Sequence, residues 1–311
     1  MGLDALSYRK LSVRTGYFSN STNVGVFESN GKLYVVDTAD SADDGKQIVD
    51  SLGTLFPGKP IAAVINTHGH SDHVGGNSAI VALTQAEVWA PNTESIFIEH
   101  PELVGDLYWG GRKFSALESH MFRTATPCHV TRYITEGKIE LEDVFLEIVP
   151  LPGHFFDQSG IIVHDKTDGA SVFFLGDGFF GTKILKRYWI PFMQDEELFR
   201  QSVSKIESIE CTWYVPSHGK ACNYDRMLAL AELNTIITYE TENLILKILH
   251  DKPSTAEEIL KQVADFAGFK MRLGQIMLIG TTIRSYLSSM ERRGLLEFDV
   301  YNNMLLWHEK K

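Results

Sequence analysis

Four side chains able to ligate a metal stand within six residues of this chain, in the run His68-Gly69-His70-Ser71-Asp72-His73. So dense a set cannot all reach one ion with good geometry. His68 and His70, two apart in extended or loop backbone, point to the same side. Asp72 and His73 come off the following turn and face a neighbouring position. A segment of this kind can feed two cations about 3.5–4 Å apart, provided more ligands arrive from elsewhere.

Three more donors occur in matching settings. His154 follows Val149-Pro150-Leu151-Pro152-Gly153, Asp177 follows Phe173-Phe174-Leu175-Gly176, and His218 follows Val215-Pro216-Ser217. Each is a polar residue delivered by a tight turn after an apolar strand, where α/β sheets present their ligands. The cysteines, Cys128, Cys211 and Cys222, make neither a CxxC pair nor a disulfide framework. A donor set of imidazole and carboxylate suits two divalent ions of the zinc type, with manganese and iron as alternatives. His100, His120, His129, His164, His250 and His308 lack such settings and read as ordinary structural residues.

The elements that must position these donors follow from periodicity. Residues 23–29 and 32–37 read as strands joined by an Asn30-Gly31 hairpin turn. A polar, partly helical segment reaches about residue 55. Residues 61–67 are an apolar run ending on Asn66-Thr67, the pattern of a buried strand, with the histidine run at its end. Strands resume at 138–141 and 144–149, and a hairpin over 160–163 and 171–175 ends at Gly176-Asp177. A helix near 195–208 leads to the strand and turn of 213–219. Residues 92–127 fit neither period and read as an insertion or lid, or as an irregular loop packing its aromatics on the nearest sheet. That segment and the 179–189 loop hold the groups expected to meet a substrate: Tyr108, Arg112, Lys113, Arg123, Lys183 and Tyr188.

From about residue 223 the texture is helical. One helix spans 223–250, a second opens at a capping box in Ser254-Thr255-Ala256-Glu257 and runs to about 266, and a third covers 275–293. Strands at 295–300 and 304–307 flank an Asn302-Asn303 turn. Three helices and a β-hairpin make a winged-helix arrangement, so the expected domains are residues 1–225 and 226–311.

Composition narrows the setting. With 44% hydrophobic and 22% charged residues the chain is an ordinary globular one. No apolar stretch reaches the roughly 18 residues that span a bilayer. The first residues lack a basic segment followed by an apolar one, and Leu6 stands where a myristoylated Gly2 would need Ser or Thr, so the expected location is the cytoplasm, with no membrane partner. The formal charge of −11 is opposite in sign to that of proteins that grip phosphate backbones. Residues 240–311 hold ten acidic and ten basic residues, so the excess lies on residues 1–239.

The series H-x-H-x-D-H, then Gly153-His154, Gly176-Asp177 and Ser217-His218-Gly219, over roughly residues 10–222, resembles the metallo-β-lactamase superfamily, specifically its glyoxalase-II-like hydrolases. The resemblance implies an αββα sandwich, two mixed sheets flanked by helices with the metals at one edge. It implies His68, His70 and His154 on a first metal, Asp72, His73 and His218 on a second, and Asp177 bridging. Asp37 resembles a family position that supports the site from behind. Asp177 stands where the best-known β-lactamases carry Cys, which points away from β-lactams. His70 stands where flavodiiron oxidoreductases carry Glu, which points away from oxygen reduction. Phe155-Phe156-Asp157-Gln158 replaces the family's Thr or Ser and Pro-Gly pair, so a bulkier, more apolar pocket wall is expected beside His154.

The implied chemistry is hydrolysis by a metal-bound hydroxide, with Asp72 orienting it or passing a proton to the leaving group. A small ester, thioester or lactone is the expected substrate. The winged helix raises a rival, a phosphodiesterase or endoribonuclease acting on nucleic acid, because it is shared with a group containing a single-strand endoribonuclease. Arg284, Arg292 and Arg293 lie on its third helix without forming a dense stripe, so a packing or homodimerising module is the favoured reading. A non-catalytic nucleic-acid-binding or scaffold protein is the third reading, and the filled ligand positions weigh against it.

Overall fold

The computed structural model describes residues 3–118, 125–268 and 270–310, without the side chains of Leu6 and Tyr188. The chain opens with a meander of β1 (Tyr8–Lys10), β2 (Thr15–Phe18), β3 (Val24–Ser29) and β4 (Lys32–Val36). Asn30 and Gly31 turn β3 into β4 at φ of 51° and 68°, the left-handed pair that a two-residue hairpin needs. Helix α1 (Ala42–Leu55) starts at Ser41, whose side chain accepts from Asp44 N–H. It returns the chain to β5 (Ile61–Ile65), parallel to β4. The one-turn α2 (Ser71–Val74) and α3 (Asn77–Thr84) lead to β6 (Glu87–Pro91), and α4 (Asn92–Glu99) and α5 (Glu102–Trp109) precede β7 (Arg132–Ile134). These strands form one sheet in chain order, antiparallel from β1 to β4 and parallel from β4 to β7.

The second sheet takes β8 (Gly137–Glu140), β9 (Val144–Pro150), β10 (Ser159–Asp165) and β11 (Ser171–Phe174) antiparallel in turn. After α6 (Thr182–Tyr188) and α7 (Glu196–Glu207), β12 (Trp213–Val215) adds parallel to β11. Tyr17, Phe27, Tyr34, Ile65 and Trp89 of the first sheet share a core with Leu146, Ile148, Ile161 and Phe174 of the second. Ile48, Leu52 and Ile80 of α1 and α3 cover the first sheet's outer face. The outer face of the second, Ile162, Phe173 and Tyr214, packs on Phe199 and Val203 of α7 and on Met227 of α8 (Tyr224–Asp251). Strands with both faces buried are apolar almost throughout. The result is the αββα sandwich.

Beyond α8 come α9 (Ala256–Ala267), α10 (Leu273–Arg292), β13 (Leu296–Tyr301) and β14 (Met304–Glu309). Ile245, Ile259, Ile283, Tyr286 and Met290 belong to the same apolar cluster as Phe173 and Tyr214, so these helices share a core with the second sheet. Three local expectations change. Within residues 92–109 stand two eight-residue helices rather than an irregular loop, each too short for a 3.6-residue period to show, and among the described residues beyond them Ser115–Leu117 is a single 3-10 turn. Most of the 179–189 loop is α6. The capping box of α9 is Thr255 with Glu258, one residue later than expected, because Ser254 is held in a bridge to Trp307. Among the described residues no helix is long and apolar enough to cross a membrane.

Candidate metal centre

All seven expected donors sit just beyond strand carboxyl ends: His68, His70, Asp72 and His73 after β5, His154 after β9, Asp177 after β11 and His218 after β12. The chain can enter these turns only with particular residues. Gly153 has φ of 120°, and a Cβ there would lie 2.1 Å from Phe199 N, so only glycine lets His154 approach the start of α7.

The donors converge. His70 Nδ1 lies 2.9 Å from His68 Nε2 and 3.0 Å from His154 Nε2. His218 Nε2 lies 3.3 Å from Asp72 Oδ2 and 3.4 Å from Asp177 Oδ2, and His73 Nε2 is 3.6 Å from Asp177 Oδ1. Asp177 Oδ2 is also 3.3 Å from His154 Nε2, so this carboxylate stands between the two groups. His68, His70 and His154 could hold one ion, and Asp72, His73 and His218 another. His73 Nε2 and Asp177 Oδ1 are buried without a hydrogen-bond partner. Orphaned buried polar atoms cost about 1–3 kcal/mol each, so the residues fit a cation that would satisfy them.

Every one of the five rings has a partner on its outward nitrogen. His73 Nδ1–H donates to Asp37 Oδ2 at 2.8 Å, His154 Nδ1–H to the Phe192 carbonyl at 2.9 Å, and His218 Nδ1–H to the Ser21 carbonyl at 2.8 Å. His68 Nδ1 is 3.1 Å from the Thr67 hydroxyl, which itself donates to Asp37 Oδ2 at 2.8 Å. His70 Nε2 bonds the Tyr108 hydroxyl. These partners leave the inward nitrogens as acceptors, the arrangement that metal-ligating histidines require.

Electrostatics divide the site. Burial, and then the neighbouring rings, hold His68 well below the usual imidazole range; burial first and then His154 do the same to His70. Burial also lowers His154, against the pull of Asp177. Burial opposes charge on His73, but Asp72, Asp37 and Asp177 outweigh it and push the ring up to about 9. His218 is likewise raised, burial being overcome by Asp177 and Asp72. Burial disfavours the Asp72 and Asp177 carboxylates, yet the facing rings hold both well below the usual range. The Asp72 side chain is 39% exposed against 5% for His154, so the centre opens to solvent at Asp72 and closes at His154.

That closed end is aromatic. The ring of buried Phe155 is 4.3 Å from His70 and 4.7 Å from Phe97, and Phe192 is 5.4 Å from His154 and 4.8 Å from Tyr108. The bulky apolar wall expected after Gly153-His154 is present. The structure brings Tyr108 onto the centre but not Arg112, exposed beyond α5, or Lys183, exposed on α6; Lys113 is bound to Asp106 and the Glu102 carbonyl. His120, Arg123 and the Tyr188 side chain lie outside the described residues. Sequence reasoning missed Glu94, fully buried in the first turn of α4, which accepts from Gly69 N–H at 2.9 Å and Asp157 N–H at 2.7 Å. It ties the His68–His70 loop to the His154–Phe155 loop. An acid in a helix's first turn ordinarily reads as a dipole partner, so no sequence signal set it apart.

Residues 19–218 match the metallo-beta-lactamase superfamily. The chain is 26% identical over 210 residues to a hydroxyacylglutathione hydrolase of Shewanella pealeana, covering 66% of this chain and 59% of that protein. Over 83 residues it is 34% identical to an (R)-specific secondary-alkylsulfatase of Pseudomonas sp, covering 25% of this chain and 12% of that one. The chain thus spans less than two thirds of the length of these relatives. A beta-lactamase domain protein from Burkholderia ambifaria superposes with a TM-score of 0.75 at 15% identity, over 99% of this chain and 95% of that one, a likeness of fold that extends through the C-terminal helices. With the seven donors converged at one edge of the sandwich, the chain belongs to the metallo-beta-lactamase superfamily.

Proposed function

We propose that the chain hydrolyses a small ester, thioester or lactone in the cytoplasm, with two divalent cations, zinc foremost. His68, His70 and His154 would hold one, Asp72, His73 and His218 the other, and Asp177 would reach both. Such cations acidify water and polarise a carbonyl. The chain's own groups do the rest. Asp72, the most exposed donor, orients the attacking water and takes or returns its proton at the open side. Phe97, Phe155 and Phe192 exclude water from the closed side. The Tyr108 hydroxyl holds His70 from behind.

The observation that carries this reading is the convergence of seven donors whose five imidazoles are all tied outward. The aromatic wall favours a carbonyl substrate over a phosphodiester. The arginines that would form a basic groove are engaged: Arg284 with Glu257, Arg292 with Asp195 and Glu197, and Arg293 with Glu242. We read the C-terminal helices and hairpin as a winged-helix arrangement serving to pack. The name of the Shewanella relative supports a thioester.

The test is metal analysis of the purified protein with parallel assays on a thioester, a lactone and a bis-aryl phosphate. Turnover of a carbonyl substrate, lost in His70→Ala, is expected. Unchanged activity in His70→Ala, or turnover of the phosphodiester alone, overturns the reading.

A further inference from the structure

We infer that α10 is part of the metal centre's support, with Thr282 a positioning residue that fixes His154 through the backbone of residues 191–195. This rests on the proposed role of His154 as a ligand. The strand-end turn that delivers His154 does not hold its ring by itself, because the ring's Nδ1–H donates to the carbonyl of Phe192, thirty-eight residues along. The direction of that carbonyl therefore decides which nitrogen His154 presents inward and where it points.

The segment carrying Phe192 is pinned from two sides. On one side its backbone follows the His154 turn, with Asp195 N–H donating to the Gly153 carbonyl at 2.9 Å and Gln194 N–H to the His154 carbonyl at 3.3 Å. On the other side lies α10. The fully buried Thr282 Oγ1 accepts from Met193 N–H at 3.0 Å, and its one proton is shared between the Leu278 carbonyl at 3.1 Å and the Pro191 carbonyl at 3.3 Å. Thr282 thus grips the residues on both sides of Phe192. One turn on, Ser285 Oγ accepts from Glu196 N–H at 2.8 Å, and Ser289 bonds the Glu196 carboxylate. Thr282 satisfies backbone groups of a segment that has no regular secondary structure of its own, while Ser285 and Ser289 on the same helix face hold Glu196, the first residue of α7, where that segment ends.

Apolar packing places α10 at the same wall. Met277 and Leu278 pack on the cluster of Phe97, Tyr108, Leu117, Phe155 and Phe192. The helix that a nucleic-acid reading would send into a groove instead turns its Thr282–Ser285–Ser289 face toward the ligand shell. Its exposed arginines, Arg284 and Arg292, meet carboxylates.

The experiment compares the parent, Thr282→Val, Thr282→Ser and Ser285→Ala in a zinc competition titration against a chromophoric chelator, with circular dichroism as the check of folding. Val keeps the shape of Thr but removes the acceptor for Met193 N–H. Direct loss of a ligand's outer partner costs about 10–100-fold in metal affinity, and Thr282 stands one link further out, so a loss of about fivefold is expected. It should fall on one of two zinc equivalents, with the other unmoved. Thr282→Ser should restore the parent value, and Ser285→Ala should weaken the same equivalent by less. Folded Thr282→Val and Ser285→Ala that hold both equivalents as tightly as the parent overturn the inference. Should Thr282→Val fail to fold, an unmoved first equivalent in Ser285→Ala overturns it. A parent that takes up no zinc overturns the ligand reading itself, and this inference with it.

Discussion

Asp37→Asn separates the support of the metal centre from its donors. Asp37 has φ of 58°, a left-handed conformation that Asn adopts as readily as Asp, so the substitution leaves the backbone alone. The carboxylate accepts three bonds, each 2.8 Å long: Oδ1 from Thr67 N–H, and Oδ2 from the Thr67 hydroxyl and His73 Nδ1–H. An amide can match only part of this set. With its NH2 at Oδ1 it faces Thr67 N–H and strands a buried backbone donor. With its NH2 at Oδ2 it forces His73 to accept at Nδ1, which moves the ring proton to Nε2, the nitrogen aimed at Asp177. Either choice costs about 1–3 kcal/mol, which corresponds to roughly fivefold to 150-fold in affinity for the cation we propose Asp72, His73 and His218 to hold. Chelator competition with zinc reads the loss, and nitrogen NMR of the imidazoles reads the tautomer. Asp37→Asn binding two equivalents with dissociation constants within about twofold of the parent would refute the reasoning.

Two further outcomes follow from the same geometry. Glu94→Ala strands the buried N–H of Gly69 and removes the acceptor of the half-buried Asp157 N–H, so urea denaturation should show a loss of about 2–3 kcal/mol; a loss under 1 kcal/mol would show that the two loops hold without it. His73 titrates near 6.5 when unfolded and at about 9 in the metal-free fold. A proton bound more tightly by the fold stabilises it fully below the unfolded value and ceases to do so as pH climbs through the folded one. The metal-free protein should therefore lose stability between pH 6.5 and 9, zinc uptake at pH 7 should release protons, and saturating zinc should flatten that slope. A metal-free protein whose urea midpoint holds constant across that window would contradict this.

The donor set was legible because metal chemistry restricts residue type and because open strand ends restrict place. His154, Asp177 and His218 each follow an apolar run and a turn, and the strands that deliver them are apolar on both faces, which makes their ends sharp in the sequence. The supports were less legible. Asp37 was visible by resemblance, but Thr67 reads as the end of a strand, Glu94 as a first-turn acid, and Phe192 acts through a carbonyl that any residue owns. The short helices α4 to α6 carry too few turns to register a period, so their aromatics looked like a loop until the sheet placed them.

The charge argument shows how sequence and structure divide the work. A balanced C-terminal segment with Arg284, Arg292 and Arg293 on one helix is equally compatible with a weak nucleic-acid surface and with a packing module. Pairing supports the packing module, because a cation held by a carboxylate has less field left for a phosphate. Arg293 meets Glu242 at 2.6 Å and Glu196 at 3.6 Å, Arg200 joins both carboxylates, and the network ties α7 to α8 and to the end of α10. Charges spent on joining the C-terminal helices to the sandwich are consistent with the hydroxyl face of α10 bracing the His154 segment. The same helix cannot also leave that surface to enter a groove without releasing the support it gives the metal centre.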